Sequence, residues 1–201
     1  MPSPTRLLVV VCALLFAPAC LENTVNTGRA RAVSLDDAPP FAAPIFVAPV
    51  FDDRRDPRRV GAIKNALNMV LRDVEPSDDD VAGFVRESLI ETLRGAGAQI
   101  LGEERADGVV VQMSLVEFFT EGAPGGLGVK CAAKVVVDVE VRLLDGSKWQ
   151  RRFGFVTEDE GDAFESDVYE TRLLDALDET LARIVDGLRV LLSREGQGGA
   201  R

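Results

Sequence analysis

The chain has 201 residues, 46% of them hydrophobic and 28% charged, a balance that fits one folded domain-sized core. Lys and Arg number 23 against 33 Asp and Glu, and the resulting net charge of −10 repels phosphate backbones, which excludes nucleic acid as a working partner class. Histidine is absent, so the commonest general base, the commonest metal ligand and every Ser-His-Asp or Cys-His nucleophile system are missing together.

Residues 1–19 read as a signal peptide. Arg6 supplies a positive charge, and Leu7 to Phe16 form an unbroken apolar run. That run is too short for a bilayer span of ~20 residues but matches a signal core of ~7–15. It closes on Ala17-Pro18-Ala19-Cys20, which resembles a bacterial lipobox, although Ala17 and Pro18 depart from its commonest form. On this reading Cys20 becomes the acylated first residue of the mature chain. A plain secretory cut after Ala19, with Cys20 incidental, is the competing reading. Cys12 leaves with the signal and Cys20 is consumed by the lipid, so Cys131 is left without a disulfide partner. Leu21, rather than Asp, after the acylated cysteine points to the periplasmic face of the outer membrane by analogy with known sorting behaviour.

Residues 20–43 are polar and small, with Pro39-Pro40 near their end and no apolar period, so they read as a lipidated, flexible tether. As a coil of about twenty residues it would reach ~25 Å. A single domain is then expected over residues 44–194. Its first element is an apolar strand over 44–51, with Pro49 favouring an edge or a strand end. The alternating charges of 52–59, around Pro57, predict a solvated loop. Residues 60–64 and 68–72 pair as a small hairpin across Asn65-Ala66-Leu67. Ser77 and Asp80 form a capping-box-like start to a helix on which Val81, Phe84, Val85, Ser88, Leu89, Thr92 and Leu93 recur on one face. Gly95 marks its stop.

Next, Val109, Val111, Met113 and Leu115 share one face of a strand, with Gln112 and Ser114 on the other. The sharpest pattern follows. Cys131, Ala133, Val135, Val137, Val139, Val141 and Leu143 alternate with Lys130, Ala132, Lys134, Val136, Asp138, Glu140 and Arg142, as in a half-buried antiparallel strand. Asp145-Gly146 turns the chain into a return strand over 149–156, in which Arg151 interrupts the apolar face of Trp149, Phe153 and Phe155. A long helix over 168–192, capped by Asp167 with Glu170, carries a stripe through Leu173, Leu177, Leu181, Ile184 and Leu188. It ends at Glu195-Gly196, before a flexible tail over 195–201. Strands with one apolar face and helices with one apolar stripe predict an α+β fold. It is a two-layer sandwich, its sheet mixed and mostly antiparallel, with both helices on one face.

The succession of lipobox, proline-containing tether, Val60-Gly61, Val81-x-x-Phe84-Val85 helix, Gly97 turn, 109–115 strand, long alternating strand and amphipathic C-terminal helix resembles the YajG-type bacterial outer-membrane lipoproteins over residues 45–190. The same order is similar to other envelope lipoproteins, including auxiliary lipoproteins of lipid-transport systems. The resemblance implies an outer-membrane lipoprotein and carries no catalytic residues.

Two stretches invite a ligand and are read otherwise. Gly122 to Gly128 lacks the Gly-Lys-Ser/Thr and following helix of a phosphate loop, so it is a hairpin connection. Glu158-Asp159-Glu160-Gly161-Asp162 lacks the spaced carboxylates of a calcium loop and reads as a solvated acidic loop. Cys131 on an apolar strand face reads as a small buried hydrophobe. No metal, cofactor or catalytic residue is implied, and the expectation is a protein that is not an enzyme. It would be a membrane-anchored module binding another envelope protein by the sheet face that carries Lys134 and Arg142 or by an exposed edge. The alternative is a lipid-transport auxiliary, its apolar groove hinted at by Phe118 and Phe119 with Val110, Val116 and Val136.

Overall fold

Apolar and polar side chains alternating over long runs build the three strands around which the rest is arranged. The computed structural model describes residues 24–35, 41–124, 129–161 and 168–198. The signal segment, Cys20, residues 125–128, Asp162, Asp167 and residues 199–201 lie outside them. In chain order the elements are strands β1 (Thr24–Val25), β2 (Ile45–Val47), β3 (Phe51–Asp52), β4 (Gly61–Lys64) and β5 (Val70–Pro76), helix α1 (Val81–Gly95), strands β6 (Val109–Pro124), β7 (Val129–Arg142) and β8 (Lys148–Gly161), and helix α2 (Val168–Gly198).

β6 is the spine of one mixed, open sheet of eight strands among the described residues. Along one edge it pairs antiparallel with β7, Leu115 opposite Val137. Along the other, β2, β3 and β4 lie parallel to it end to end, with Ile45 opposite Val109, Phe51 opposite Ser114 and Gly61 opposite Thr120. β5 pairs antiparallel with β4, β1 parallel with β5, and β8 antiparallel with β7. The fold is α+β, as the patterning predicts. Val109, Val111, Met113, Leu115, Val135, Val137 and Val139 form one core with Phe84, Leu89 and Leu93 of α1 and Leu173, Leu177, Leu181 and Ile184 of α2. Both helices therefore cover the same face of the sheet.

Several expectations are corrected by the structure. The strand over 44–51 is split into β2 and β3, because Pro49 has no N–H to give to the ladder; its carbonyl accepts from the Gln112 side chain instead, at 2.6 Å. The loop over 52–59 is not wholly solvated: the Arg54 guanidinium is buried and makes a two-pronged contact with Asp52, 2.8 Å on each arm, and a third bond to the Pro57 carbonyl. Asp80, not Ser77, caps α1, accepting from Gly83 N–H at 2.8 Å. α1 ends through Gly97, whose φ of +83° lets Ala98 N–H return to the Leu93 carbonyl. The acidic stretch to Gly161 is the end of β8, in register with Val129 to Ala132, rather than a loop. α2 runs on to Gly198, through what reads as a tail in the sequence.

The largest correction concerns the tether. Residues 24–35 are packed: Val25 and Thr27 are buried, and the backbone N–H groups of Arg31 and Val33 donate to Ser88 Oγ and Thr92 Oγ1 of α1. Arg31 also grips Asp178 of α2 through two bonds, at 3.0 and 2.6 Å. This strand-like strap lies across both helices, and it explains why α1 carries two buried hydroxyls in an apolar stripe.

Candidate functional site

The sheet face opposite the helices is covered by no element among the described residues, and its charges are matched within the chain. Lys134 pairs with Glu117 at 2.8 Å, and Arg142 with Glu104. Arg152 takes both oxygens of Asp138, at 2.7 and 2.6 Å. Those bonds hold the Asp138 carboxyl below its ordinary range and push the guanidinium up. Glu140 is likewise lowered, by hydrogen bonds from Lys148 and then Gln150. A shallow depression of about 520 Å³ lies among Phe51, Ser114, Asp138, Glu140, Gln150 and Arg152.

The residues singled out from the sequence separate here. Lys134 and Arg142 are exposed on this face, and Val136 is half-buried between them. Phe119 is on the same face, half-buried, with the Arg59 guanidinium 5.7 Å from its ring centre. Phe118 is not a surface residue: it is 1% exposed and meets Phe84 edge-on in the core, ring centres 6.3 Å apart. The cause is a β-bulge between Leu115 and Glu117, which inserts Val116 and reverses the facing of every later residue in β6. Val110 is buried as well, so neither it nor Phe118 offers exposed apolar surface to a groove. A second groove, about 560 Å³, sits at the far end of this face. Small residues Gly122, Ala123 and Ala132 line it beside Lys64, Lys130 and Glu158.

The free long edge of the sheet has a different character. β8 ends the strand order, with no strand on its outer side among the described residues. Between it and α2 runs a groove of about 490 Å³ lined by Arg151, Phe153, Gly154, Arg183, Gly187 and Val190. Gly187 permits this approach, since a Cβ there would stand 2.9 Å from the Phe153 ring. The Arg151 guanidinium lies 5.2 Å from the Phe153 ring centre, and that of Arg183 lies 4.5 Å from Phe155. Arg183 also donates to Glu179 at 3.0 Å and to the Gly154 carbonyl at 3.3 Å. Arg151 has no carboxylate partner among the described residues. The residue that breaks the apolar alternation of β8 is thus a cation laid over an aromatic ring at a free edge. Its irregular position was the available signal; Arg183, on the polar side of a long helix, gave none.

Elsewhere, Cys131 is buried within 3.5 Å of Thr120 Oγ1, and burial, followed by nearby Cys131, raises the Tyr169 hydroxyl above its usual range. No cluster of three or more His, Cys, Asp or Glu is placed to hold a metal among the described residues. No helix among them is long and apolar enough to cross a membrane.

No protein-family model and no curated protein matches the chain. Among solved structures, a Xanthomonas campestris protein of family DUF330 overlaps it with a TM-score of 0.57 at 11% identity, covering 89% of this chain and 99% of that one. A minor lipoprotein from Acinetobacter baumannii overlaps at 0.37 and 11% identity, over 69% and 92% of the two chains. Lipoprotein GNA1162 from Neisseria meningitidis does so at 0.39 and 11%, over 72% and 99%. The overlap with the Xanthomonas protein establishes a shared fold.

Proposed function

We propose that this protein is a bacterial envelope lipoprotein, akin to the YajG type, held at the periplasmic face of the outer membrane by acyl chains on Cys20. It works by binding rather than catalysis. Its partner is an envelope protein that lays an extended acidic segment along the outer edge of β8. The observation that carries this reading is the pairing of a long free strand edge with Arg151 and Arg183 over Phe153 and Phe155. An exposed edge offers a ladder of backbone donors and acceptors, and neighbouring cations and rings give the incoming strand its sequence preference. The opposite sheet face is the weaker candidate, because the charges of Lys134 and Arg142 are already answered by Glu117 and Glu104. The lipid-transport alternative would have to use the small-residue groove around Gly122 and Ala132, since Phe118 is not available to it.

Photocrosslinkers placed in living cells at Val190, exposed in the groove between β8 and α2, and, separately, at Lys134 on the sheet face test the reading, with the captured peptide sequenced. Capture of an acidic segment from Val190, abolished by Arg151→Glu with Arg183→Glu and indifferent to Lys134→Glu with Arg142→Glu, supports it. The reverse dependence moves the docking surface to the sheet face.

A further inference from the structure

The turn between β4 and β5 carries a feature that neither the core nor the proposed docking edge uses. Leu67 is 77% exposed, Met69 54%, Val70 51% and Leu71 67%, four large apolar side chains within five residues at the tip of a hairpin. Such a cluster costs solubility unless something covers it. The backbone beneath it is tied internally. Asn65 Oδ1 accepts from the N–H groups of Leu67 and Met69 at 2.9 and 3.0 Å, Asn68 N–H donates to the Asn65 carbonyl, and Asn65 N–H donates to that of Met69. A tip whose polar backbone groups are satisfied this way can leave water without orphaning them.

The direction of the chain says what lies next to it. β5 runs away from the tip, and β1 is parallel to it, with Thr24 opposite Glu75. The chain therefore enters β1 from the hairpin's end of the sheet. Cys20 is four residues before Thr24, a separation of at most ~14 Å even fully extended. Leu71, four residues before Glu75 along β5, lies about 13 Å away in the same direction. The packed strap has removed most of the expected tether, so the reach of an anchor at Cys20 from Thr24 takes in this end of the sheet.

We infer that the β4–β5 tip is a second membrane contact, seated with Leu67, Met69 and Leu71 in the leaflet that holds the acyl chains of Cys20. The inference rests on the lipid-anchor reading, and the two fail separately. Intact mass of the mature protein decides whether Cys20 is acylated. The tip is decided by an environment-sensitive dye on Leu67→Cys in the mature chain; Cys131, being buried, leaves that thiol as the reactive one. Vesicles of phosphatidylethanolamine with some phosphatidylglycerol are the probe. The dye is expected to shift to the blue and to be quenched by spin labels in the lipid. A dye on Leu144→Cys, in the β7–β8 turn at the opposite end of the sheet, is expected to stay in water. In the unlipidated Cys20→Ser chain, Leu67→Asp with Leu71→Asp should weaken vesicle partitioning more than tenfold with an unchanged circular dichroism spectrum. A water-exposed dye at position 67 on vesicle-bound, acylated protein overturns the proposal, as does partitioning indifferent to the double substitution. Shielding that requires an added envelope protein assigns the tip to that protein and overturns it too.

Discussion

Asp52 and Arg54 show how a charged stretch that reads as solvent can hold structure. Burial works to raise the Asp52 carboxyl, but the hydrogen bonds and charge of Arg54 outweigh it and hold the group below its ordinary value. A carboxyl lowered on folding stabilises the native state above its unfolded value, near pH 4, and that stabilisation is lost as pH falls through the lower folded value. Asp52→Asn should therefore cost about 1–2 kcal/mol at pH 7, the ~1.5–3 kcal/mol of a hydrogen bond to a charged group reduced by solvent screening at a partly exposed carboxylate. The gap in melting midpoint between the variant and the natural chain should narrow steadily from pH 5 to pH 3. A gap constant across that range would mean that Asp52 is not ionised against Arg54 in the folded protein. At this scale the sequence was a poor guide, because the sign alternation of 52–59 is the same whether its arginines face water or a carboxylate and a carbonyl.

Elements were legible where one pattern ran long enough to leave a single solution. β7 is such a case: six alternate residues from Cys131 to Val141 are buried, and no other register places them so. α2 is another, with Leu173, Leu177, Leu181, Ile184 and Leu188 wholly buried on one stripe. Leu181→Ala should accordingly cost ~2–5 kcal/mol in urea unfolding, whereas Glu140→Ala on the open face should leave the midpoint where it is. Equal effects would contradict the assignment of helix stripe and strand face. β6 was legible only to Leu115, because one inserted residue changes which side chains face inward and nothing in Val116 announces it. The acidic end of β8 looked like a loop because charge says nothing of backbone pairing, and here Glu158 lies opposite Ala132 in the ladder. The strap over 24–35 had a signal in Ser88 and Thr92, polar residues in an otherwise apolar helix face. Their hydroxyls accept the N–H groups of a segment whose own composition suggests no structure.

For the whole molecule, the consequence is a domain that the proposed anchor at Cys20 would hold close. A strap fixed from Thr24 onward leaves three residues between the fold and Cys20, in place of a tether of some twenty. The free edge of β8 would then search a thin layer beside the membrane, where confinement at effective concentrations up to millimolar makes a weak strand-to-strand contact productive. Everything in this picture depends on Cys20, whose diacylglyceryl and N-acyl chains, at ~0.8 kcal/mol per buried methylene, would hold the protein far more firmly than one chain could. The most direct test is the intact mass of the mature protein recovered from fractionated cells. The account predicts a chain beginning at Cys20, heavier by the added acyl groups and found with the membranes, and a Cys20→Ser variant that is released or stalled. A mature chain of unmodified mass in the soluble periplasm would contradict it.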